Sequence, residues 1–275
     1  MNRILITGGS GFIGSAVTAG LKIPLGLGSQ TLSIVEWKRR SDGSVLSARN
    51  RTKVLDNCRP DIVLHLAWHP TGTSDYEFSG QHTSWAEESL QFARECLSRN
   101  IWFICAGSAF DNPLNQNDSM KETPYSGSKS QLRSNIMGLI ALGNRVTWLQ
   151  IHHVFSLEAG RPRLLQSLLT AENPRSYCPD SPATIHDFIE LSDVAAAIRL
   201  ILVRKIMDSV AIGSGWAVSN QSFIDSAKFA LGISNTRPSV PRTKSGHSSI
   251  SLRLAGWRPH CTNEFFGLMD SETSE

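Results

Sequence analysis

The chain has 275 residues, a length that accommodates one large domain or two closely joined ones. Its hydrophobic share of 40%, charged share of 19% and net charge of +3 are those of an ordinary soluble globular protein. The only notable basic run is residues 38–40, and no apolar run approaches the roughly 20 residues that span a bilayer. We therefore expect neither a nucleic-acid nor a membrane partner.

The cysteines and histidines predict a reducing environment and no metal site. The five cysteines are scattered, odd in number and free of any Cys-x-x-Cys pair, which favours free thiols over disulfides or zinc. The first residues run directly into an apolar strand, which leaves no room for a signal peptide, so we expect a cytoplasmic protein. No spacing supports a closed metal site, so we interpret these histidines as core or loop residues: His65, His69, His152, His153 and His186.

Short apolar runs alternate with helical patterns along the first 155 residues. Strands are predicted over residues 3–7, 31–35, 61–67, 101–106 and 146–155. Helices are predicted over residues 12–21, 84–100 and 125–142. This alternation, with glycine at the turns, is typical of a doubly wound parallel sheet, and we predict an α/β, Rossmann-like fold.

Loop signals dominate between residues 156 and 182, where glycine and proline recur. A helix is predicted over residues 193–204 with Ser192 as its N-cap, and another from Ser219 to Gly232. We expect a dinucleotide-binding domain over residues 1–155, rejoined by residues 186–212. A smaller C-terminal substrate-binding domain is expected over residues 156–185 and 213–275.

A glycine-rich segment separates the first predicted strand from the first predicted helix. Residues 7–14 read Thr-Gly-Gly-Ser-Gly-Phe-Ile-Gly, which fits both G-x-G-x-x-G and G-x-x-G-x-x-G. Glycine lets the chain turn sharply and lets the backbone approach a pyrophosphate, to which the helix N-terminus offers N–H groups and partial positive charge. This context predicts a dinucleotide-binding loop.

The end of the second predicted strand carries residues expected to contact the adenosine ribose. Glu36 lies in the range where an acidic residue binds the ribose hydroxyls of NAD(H). Arg39 and Arg40 follow it, and arginine in this region binds the 2′-phosphate of NADP(H). Because two guanidinium groups compete with one carboxylate, the sequence slightly favours NADP(H) over NAD(H).

A tyrosine, a lysine and a serine form the predicted catalytic set. Tyr125 and Lys129 lie four residues apart in a predicted helix, so their side chains share one face. An ammonium beside a phenol lowers the pKa of the phenol, which can then exchange a proton with a carbonyl oxygen while a nicotinamide exchanges hydride. Ser108 follows the strand predicted over residues 101–106, at the sheet edge where ligands bind, and is expected to polarise the same carbonyl.

These segments together resemble the extended short-chain dehydrogenase/reductase family of nucleotide-sugar epimerases, dehydratases and reductases. Residues 7–14 match the family's cofactor loop, residues 60–67 its cofactor strand, and residues 106–108 with 125–129 its catalytic elements. Residues 187–195 and 254–259 match later family segments. The resemblance implies cofactor contacts at Gly8, Gly11, Phe12, Ile13, Gly14, Leu66, Ala67, Tyr125 and Lys129.

Three further residues are expected near the cofactor or substrate. Trp68 and His69 follow the cofactor strand and are expected to face the cleft, where Trp68 would pack on nicotinamide or substrate; a plain core position is the alternative for Trp68. His153 replaces the asparagine of the family's usual Asn-Val-Tyr-Gly, so its contacts to the cofactor are expected to differ.

Departures from the family bear on the reaction and the substrate. In the dehydratases of the family, an Asp-Glu pair comes directly after the residue that carries the catalytic hydroxyl. In this chain alanine and phenylalanine stand at residues 109–110, so dehydration would lack its acid and base. His186 stands where the family often has an arginine near the phosphates of the substrate. Arg161, Arg163 and Arg175 are candidate replacements, and we predict substrate contacts for the first two; ordinary surface positions are the alternative.

The resemblance implies an NAD(P)H-dependent reductase of a keto group on a nucleotide-activated sugar, of the 4-keto-6-deoxyhexose type. One alternative is a nucleotide-sugar 4-epimerase with tightly bound NAD, which needs the same three residues. Another is a non-catalytic dinucleotide-sensing regulator, which would not need Tyr125 or Lys129. The expected partner is a small nucleotide-sugar molecule, and a homodimer is left open.

Overall fold

The computed structural model describes residues 3–23, 32–69, 76–111, 123–158, 163–245, 252–253 and 255–267. Its strands are β1 (Arg3–Thr7), β2 (Ser33–Glu36), β3 (Ile62–His65), β4 (Trp102–Ala106), β5 (Val146–Ile151), β6 (His153–Phe155), β7 (Ile185–Glu190), β8 (Ser209–Ile212), β9 (Trp216–Ser219) and β10 (Thr243–Lys244). Its α-helices are α1 (Phe12–Lys22), α2 (Arg39–Asp42), α3 (Ala48–Cys58), α4 (Gln81–Ser98), α5 (Pro124–Ala141), α6 (Arg163–Thr170), α7 (Leu191–Arg204), α8 (Asn220–Ala230) and α9 (His260–Phe266).

A six-stranded sheet carries the N-terminal half of the chain, in the order β2-β1-β3-β4-β5-β8. Neighbours from β2 to β5 are parallel, and Ile4 of β1 lies opposite Ile34 on one side and Ile62 on the other. The order reverses between β1 and β3, so the carboxyl ends of these two strands form the switch point at which open α/β sheets bind ligands. The predicted Rossmann-like α/β class is confirmed.

The central strands of this sheet are buried almost throughout, as a parallel sheet covered by helices requires. Leu5, Val63 and Phe103 lie in one core cluster, which Trp148 of β5 completes. Burying one such large apolar side chain stabilises the fold by about 1.5–3 kcal/mol. The continuous apolar runs in the sequence therefore indicate these strands correctly.

Helix α3 is absent from the sequence prediction because its buried face includes a charged residue. Arg51 has only 1% of its surface exposed. Its guanidinium donates to the carboxylates of Glu95 at 2.7 Å and Glu88 at 2.8 Å, both on α4. A buried cation is tolerated only when it is paired, so these ion pairs fix α3 against α4 without an apolar stripe to reveal it.

The chain divides into two compact units, residues 1–150 with 205–210 and residues 151–204 with 211–275. In the second unit a four-stranded sheet has the order β10-β9-β7-β6, with β6 parallel and β9 antiparallel to β7. Its core is aromatic: the Phe188 and Phe223 rings stack with centroids 4.2 Å apart, and Phe155 meets Phe223 edge to face. Which ranges bind cofactor and which bind substrate stays a prediction.

The strand predicted over residues 146–155 is in fact two strands, β5 and β6. The break falls at His152, whose backbone N–H bonds to the carbonyl of Ile212. The next residue, His153, instead lies opposite Phe188 of β7. One apolar run thus serves two sheets, which residue pattern alone does not reveal.

The predicted start of α7 is also wrong. The helix begins at Leu191, so Ser192 lies inside its first turn and is not its N-cap; the carboxylate of Glu190, directly before the helix, accepts the Ser192 N–H and hydroxyl. The stretch interpreted as loop-rich, residues 156–182, contains α6. None of the described helices combines the length and apolar character needed to cross a membrane.

Candidate active site

The glycine loop between β1 and α1 requires glycine at two positions. Gly8 has a φ of 74°, and a Cβ there would lie 2.6 Å from the backbone nitrogen of Ala67. A Cβ on Gly14 would overlap the carbonyl oxygen of Gly8. Both gaps are too small for any side chain, so the loop passes directly against the end of β3 and the start of α1 packs directly on the loop.

The first turn of α1 offers backbone donors to a bound anion. Its N-cap is Gly11, which has no side chain to bond the free N–H groups, and no acidic residue stands in the first turn. Phe12 and Ile13 are half-buried in that turn. Unsatisfied N–H groups and the positive end of the helix dipole suit a phosphate. The loop and helix end therefore fit the pyrophosphate of a dinucleotide.

The end of β2 places opposite charges beside the glycine loop. A Cβ on Gly9 would lie 3.3 Å from a carboxylate oxygen of Glu36, and the Lys22 ammonium lies 3.6 Å from the other oxygen. Arg39 and Arg40 open α2, are exposed, and form no ion pair within the described part of the chain. One paired carboxylate thus faces the loop, and two unengaged guanidinium groups follow it.

Ser108, Tyr125 and Lys129 converge near the carboxyl end of β4. A capping box fixes the start of α5, which carries the tyrosine and the lysine. The Ser108 side chain forms a hydrogen bond with the Tyr125 phenol. The Lys129 ammonium donates to the carbonyl oxygen of Ala106 at 2.9 Å. The fold therefore brings together the three side chains that the sequence predicts to be catalytic.

Burial dominates the protonation of this set. It raises the pKa of Tyr125 to about 12, against the smaller lowering effect of the hydrogen bond with Ser108. It lowers the pKa of Lys129 to about 8. The expectation that Lys129 lowers the pKa of the phenol is not met, because its ammonium is directed at a backbone carbonyl and at the Trp68 ring. Near neutral pH the phenol is protonated and the lysine is mostly charged.

Asp111 is a residue of the site that sequence analysis missed. Its fully buried carboxylate accepts the backbone N–H of Ser108 at 2.7 Å and side-chain donors of Trp148 and Gln150 at 3.1 and 3.0 Å. A Cβ on Gly107 would overlap both Asp111 and Trp148, so only glycine fits before the serine. Burial raises the pKa of this carboxyl to about 6. Its position three residues after Ser108 falls outside the dehydratase pattern and gave no signal.

Trp68 contacts a predicted catalytic residue while its ring also packs on the core. The Lys129 ammonium lies 3.5 Å from the centroid of the Trp68 ring, a close cation–π contact. The Trp68 indole N–H donates to Nδ1 of His82 at 3.1 Å. His69 lies beside this pair, with its ring centroid 5.2 Å from that of His82. Sequence analysis missed His82, which no motif links to Trp68.

Other predicted site residues lie in the second unit. His153 lies on β6 in the second unit, where its ring centroid is 4.0 Å from that of His186. Arg163 begins α6, Arg175 lies in an exposed turn, and Arg161 falls outside the described residues. Contacts of these residues with cofactor or substrate stay predictions.

His65 ends β3 but serves the core. Its Nδ1 and Nε2 form hydrogen bonds with the hydroxyls of Thr7 at 2.7 Å and Ser89 at 3.0 Å. Burial lowers the pKa of His65 to about 3, so its ring stays neutral. No cluster of three or more potential metal-binding side chains occurs among the residues that the structure describes.

Comparison with known families agrees with this geometry. The sequence model of the NAD dependent epimerase/dehydratase family matches residues 4–213, a range that contains the glycine loop, Ser108, Tyr125 and Lys129. Curated proteins give no significant match to the chain.

Solved structures share the fold at low sequence identity. A dTDP-4-dehydrorhamnose reductase from Clostridium acetobutylicum is 12% identical, with a TM-score of 0.71 over 97% of this chain and 99% of that one. A UDP-glucose 4-epimerase from Thermus thermophilus, in complex with NAD, is 18% identical, with a TM-score of 0.66 over 94% of both chains. A GDP-mannoheptose C4 reductase from Campylobacter jejuni, with NADP bound, is 16% identical, with a TM-score of 0.65 over 85% of both chains.

Proposed function

The chain belongs to the NAD dependent epimerase/dehydratase family, a family of NAD(P)-dependent enzymes of the extended short-chain dehydrogenase/reductase class, and from that premise we propose that it reduces a keto group on a nucleotide-activated sugar. A 4-keto-6-deoxyhexose is the sugar type that we propose. The observation that carries the reductase reaction is the protonated phenol of the half-buried Tyr125, in hydrogen-bond contact with Ser108. The two similar sugar reductases lend support.

The paired hydroxyls can act on one carbonyl oxygen. A bound nicotinamide dinucleotide supplies the hydride that reduction requires. Tyr125 holds the proton that the carbonyl oxygen must receive, and Ser108 provides a second donor to polarise that carbonyl. Because burial keeps the pKa of the phenol at about 12, Tyr125 is in its acid form at any ordinary working pH. Lys129, whose ammonium is directed at the carbonyl oxygen of Ala106 and at the Trp68 ring, keeps the cofactor contact that the family resemblance implies.

The described site also disfavours the other reactions of the family. A 4-epimerase begins by taking a proton from a sugar hydroxyl, for which Tyr125 must first be a phenolate, and burial keeps that form scarce near neutral pH. Dehydration requires carboxylates after Ser108. The nearest described one, Asp111, is fully buried and already accepts bonds from Ser108, Trp148 and Gln150. Membership of an enzyme family removes the reason to propose a non-catalytic sensor.

We further propose a modest preference for NADP(H). Near the end of β2 the described charged residues are four cations, Lys22, Lys38, Arg39 and Arg40, and two anions, Glu36 and Asp42. The local charge is therefore +2, and the Glu36 carboxylate is already paired with Lys22. A 2′-phosphate, which carries negative charge, is attracted by this balance. Fluorescence titration of the protein with NADPH and NADH measures the preference directly, and tighter NADH binding would contradict it.

The reaction is tested with a panel of nucleotide-linked 4-keto-6-deoxy sugars and either reduced cofactor. One cofactor oxidised per sugar reduced is the expected result. Tyr125→Phe should lower turnover by roughly 10²–10⁴-fold, the usual contribution of general acid catalysis, and leave cofactor affinity nearly unchanged. Tyr177→Phe is the matched control, because Tyr177 packs against the core of the second unit, away from the predicted catalytic residues in sequence.

Three outcomes would overturn the proposal. Inversion of a sugar with no net cofactor consumption would identify a 4-epimerase. Absence of reaction with every keto sugar, despite cofactor binding, would exclude the substrate class. Near-full activity of a folded Tyr125→Phe protein would remove Tyr125 from the catalytic role.

A further inference from the structure

A tryptophan, a histidine and a backbone carbonyl form a hydrogen-bonded chain beside Lys129. The Trp68 indole N–H donates to Nδ1 of His82 at 3.1 Å, and Nε2 of His82 lies 2.6 Å from the carbonyl oxygen of Tyr76. The face of the Trp68 ring lies 3.5 Å from the Lys129 ammonium. His82 itself has no exposed surface.

The partners of His82 fix its protonation state. The indole N–H is a donor only, so Nδ1 must accept; the carbonyl oxygen of Tyr76 is an acceptor only, so Nε2 must carry the proton. Only the neutral Nε2–H tautomer satisfies both bonds. Protonation would place an Nδ1–H against the indole N–H and break the link to Trp68. Burial also lowers the pKa of His82, in the same direction.

The hydrogen-bonded series of Trp68, His82 and the Tyr76 carbonyl determines which surface of the indole lies against Lys129. An indole ring can rotate about its side-chain bonds, and the bond to His82 selects one orientation. In that orientation the electron-rich face is presented to the ammonium, which burial would otherwise drive toward its neutral form. Because His82 is neutral, it adds no positive charge next to the ammonium.

We propose that Trp68 and His82 are positioning residues for the active site: His82 locks the Trp68 indole, and the indole face holds Lys129 in place and in its charged form. Neither residue touches the reacting atoms in this scheme. Among the residues that the structure describes, the other titratable groups that act on Lys129 or His82 are Cys105, Asp111, His65, His69, Tyr76 and Tyr125. Of these, Cys105 and Asp111 also favour the ammonium, so the Trp68 ring acts together with them.

The inference rests on the proposed function only for its effect on turnover, so its test uses readouts that need no substrate. The first readout is the nitrogen NMR spectrum of full-length protein with labelled histidine, of which the chain has eight. The His82 signals are assigned as those missing from the His82→Asn spectrum. We expect a neutral, Nε2-protonated ring near neutral pH, because burial lowers the pKa of His82 and the bond from Trp68 occupies Nδ1. In Trp68→Phe, which loses the indole donor, the His82 ring should become protonated at higher pH than in the wild type.

The second readout is the affinity for NADPH as a function of pH. Loss of a desolvated cation–π contact should lower the proton affinity of Lys129 by about tenfold. As the pH is raised, Trp68→Leu should therefore lose affinity for NADPH at a lower pH than the wild type does. His82→Leu, which frees the indole, should shift the profile in the same direction. His82→Asn keeps an acceptor oxygen close to the position of Nδ1 and should restore most of the affinity. His260→Leu, an exposed histidine on α9, is the matched control and should change nothing.

Several results would overturn the inference. One is a His82 ring that titrates near its ordinary pH in the wild type, or that ignores the loss of the Trp68 indole. Another is a uniform loss of affinity in Trp68→Leu and His82→Leu without a shift in pH, which would indicate mere damage to the fold. Turnover of the keto sugar separates the two proposals: its absence with the NMR and pH shifts intact refutes the proposed reaction alone.

Discussion

Replacing Gly14 with alanine removes the close contact on which the cofactor loop depends. The added Cβ would overlap the carbonyl oxygen of Gly8, and would lie 2.8 Å from the carbonyl carbon of Gly8 and 2.9 Å from Cα of Gly9. All three are backbone atoms, so no side chain can rotate to make room. Either α1 must move away from the loop, or the Gly8 peptide must turn, and both changes displace the proposed phosphate donors.

Gly138 supplies a matched control, because it also lies in a helix and a Cβ there would meet nothing within 4 Å. Alanine in a helix is more stable than glycine by about 0.5–1 kcal/mol, so Gly138→Ala should raise the melting temperature by about 1–4 °C. Gly14→Ala gains the same helix preference but is overpacked, which typically costs about 1–3 kcal/mol of stability. The cost is larger where, as here, backbone atoms must move to make room for the added Cβ. We expect its melting temperature to fall by several degrees, and the difference between the two variants isolates the overlap.

Thermal unfolding followed by circular dichroism, with and without NADPH, measures both effects. A ligand that binds only the folded state raises its stability in proportion to the logarithm of its concentration over Kd. With NADPH at about ten times the wild-type Kd, Gly138→Ala should keep the full upward shift, whereas a Gly14→Ala protein that binds about tenfold more weakly should lose most of it. If Gly14→Ala melts like Gly138→Ala and is stabilised by NADPH to the same extent, the close approach of α1 to the loop is wrong.

Two further predictions concern charged side chains at the site. The double variant Arg39→Ala/Arg40→Ala should lower the affinity for NADPH by about tenfold or more, because charge-assisted hydrogen bonds are worth about 1.5–3 kcal/mol each. In the same titration the affinity for NADH should be nearly unchanged, and the control is Arg49→Ala, whose side chain is exposed on α3. An unaltered NADPH affinity in the double variant would contradict the prediction. Asp111→Asn puts an amide donor where Ser108, Trp148 and Gln150 all donate. The free energy of unfolding, measured in urea, should therefore fall by about 1–3 kcal/mol, and turnover should fall because Ser108 shifts. Unchanged stability and unchanged turnover together would show that the carboxylate does not position Ser108.

The parts of the fold that the sequence predicts well are those in which neighbouring residues do the same physical work. A buried parallel strand is apolar at successive positions, so β1, β3 and β4 are evident as runs. The glycine loop is evident for the same reason, since its turn and its helix start are local. Helix α3 escapes detection because Arg51 occupies its buried face, and the carboxylates that make this possible lie on α4.

The candidate site divides along the same line. Tyr125 and Lys129 share one helix, so their common face follows from spacing alone. His82, Tyr76 and Trp68 lie on separate elements, and only the folded chain brings them together. Asp111 is close to Ser108 in sequence, but its importance comes from donors on β5, 37 and 39 residues further along the chain. No spacing rule relates such positions.

The proton chemistry of Lys129 and Tyr125 shows where sequence reasoning about the site fails. The spacing of the two residues implies that the ammonium lowers the pKa of the phenol. Burial acts on both groups and favours the neutral form of each. The pKa of Tyr125 therefore rises to about 12, and that of Lys129 falls to about 8. As pH rises, the lysine therefore loses its charge well before the tyrosine loses its proton. The affinity for cofactor, to which the charged lysine contributes, should decline above about pH 8 in the wild type, and Lys129→Met should bind weakly with no such decline. A wild-type profile that stays flat up to the range in which Tyr125 ionises would mean that the lysine stays charged, and that burial does not control the site.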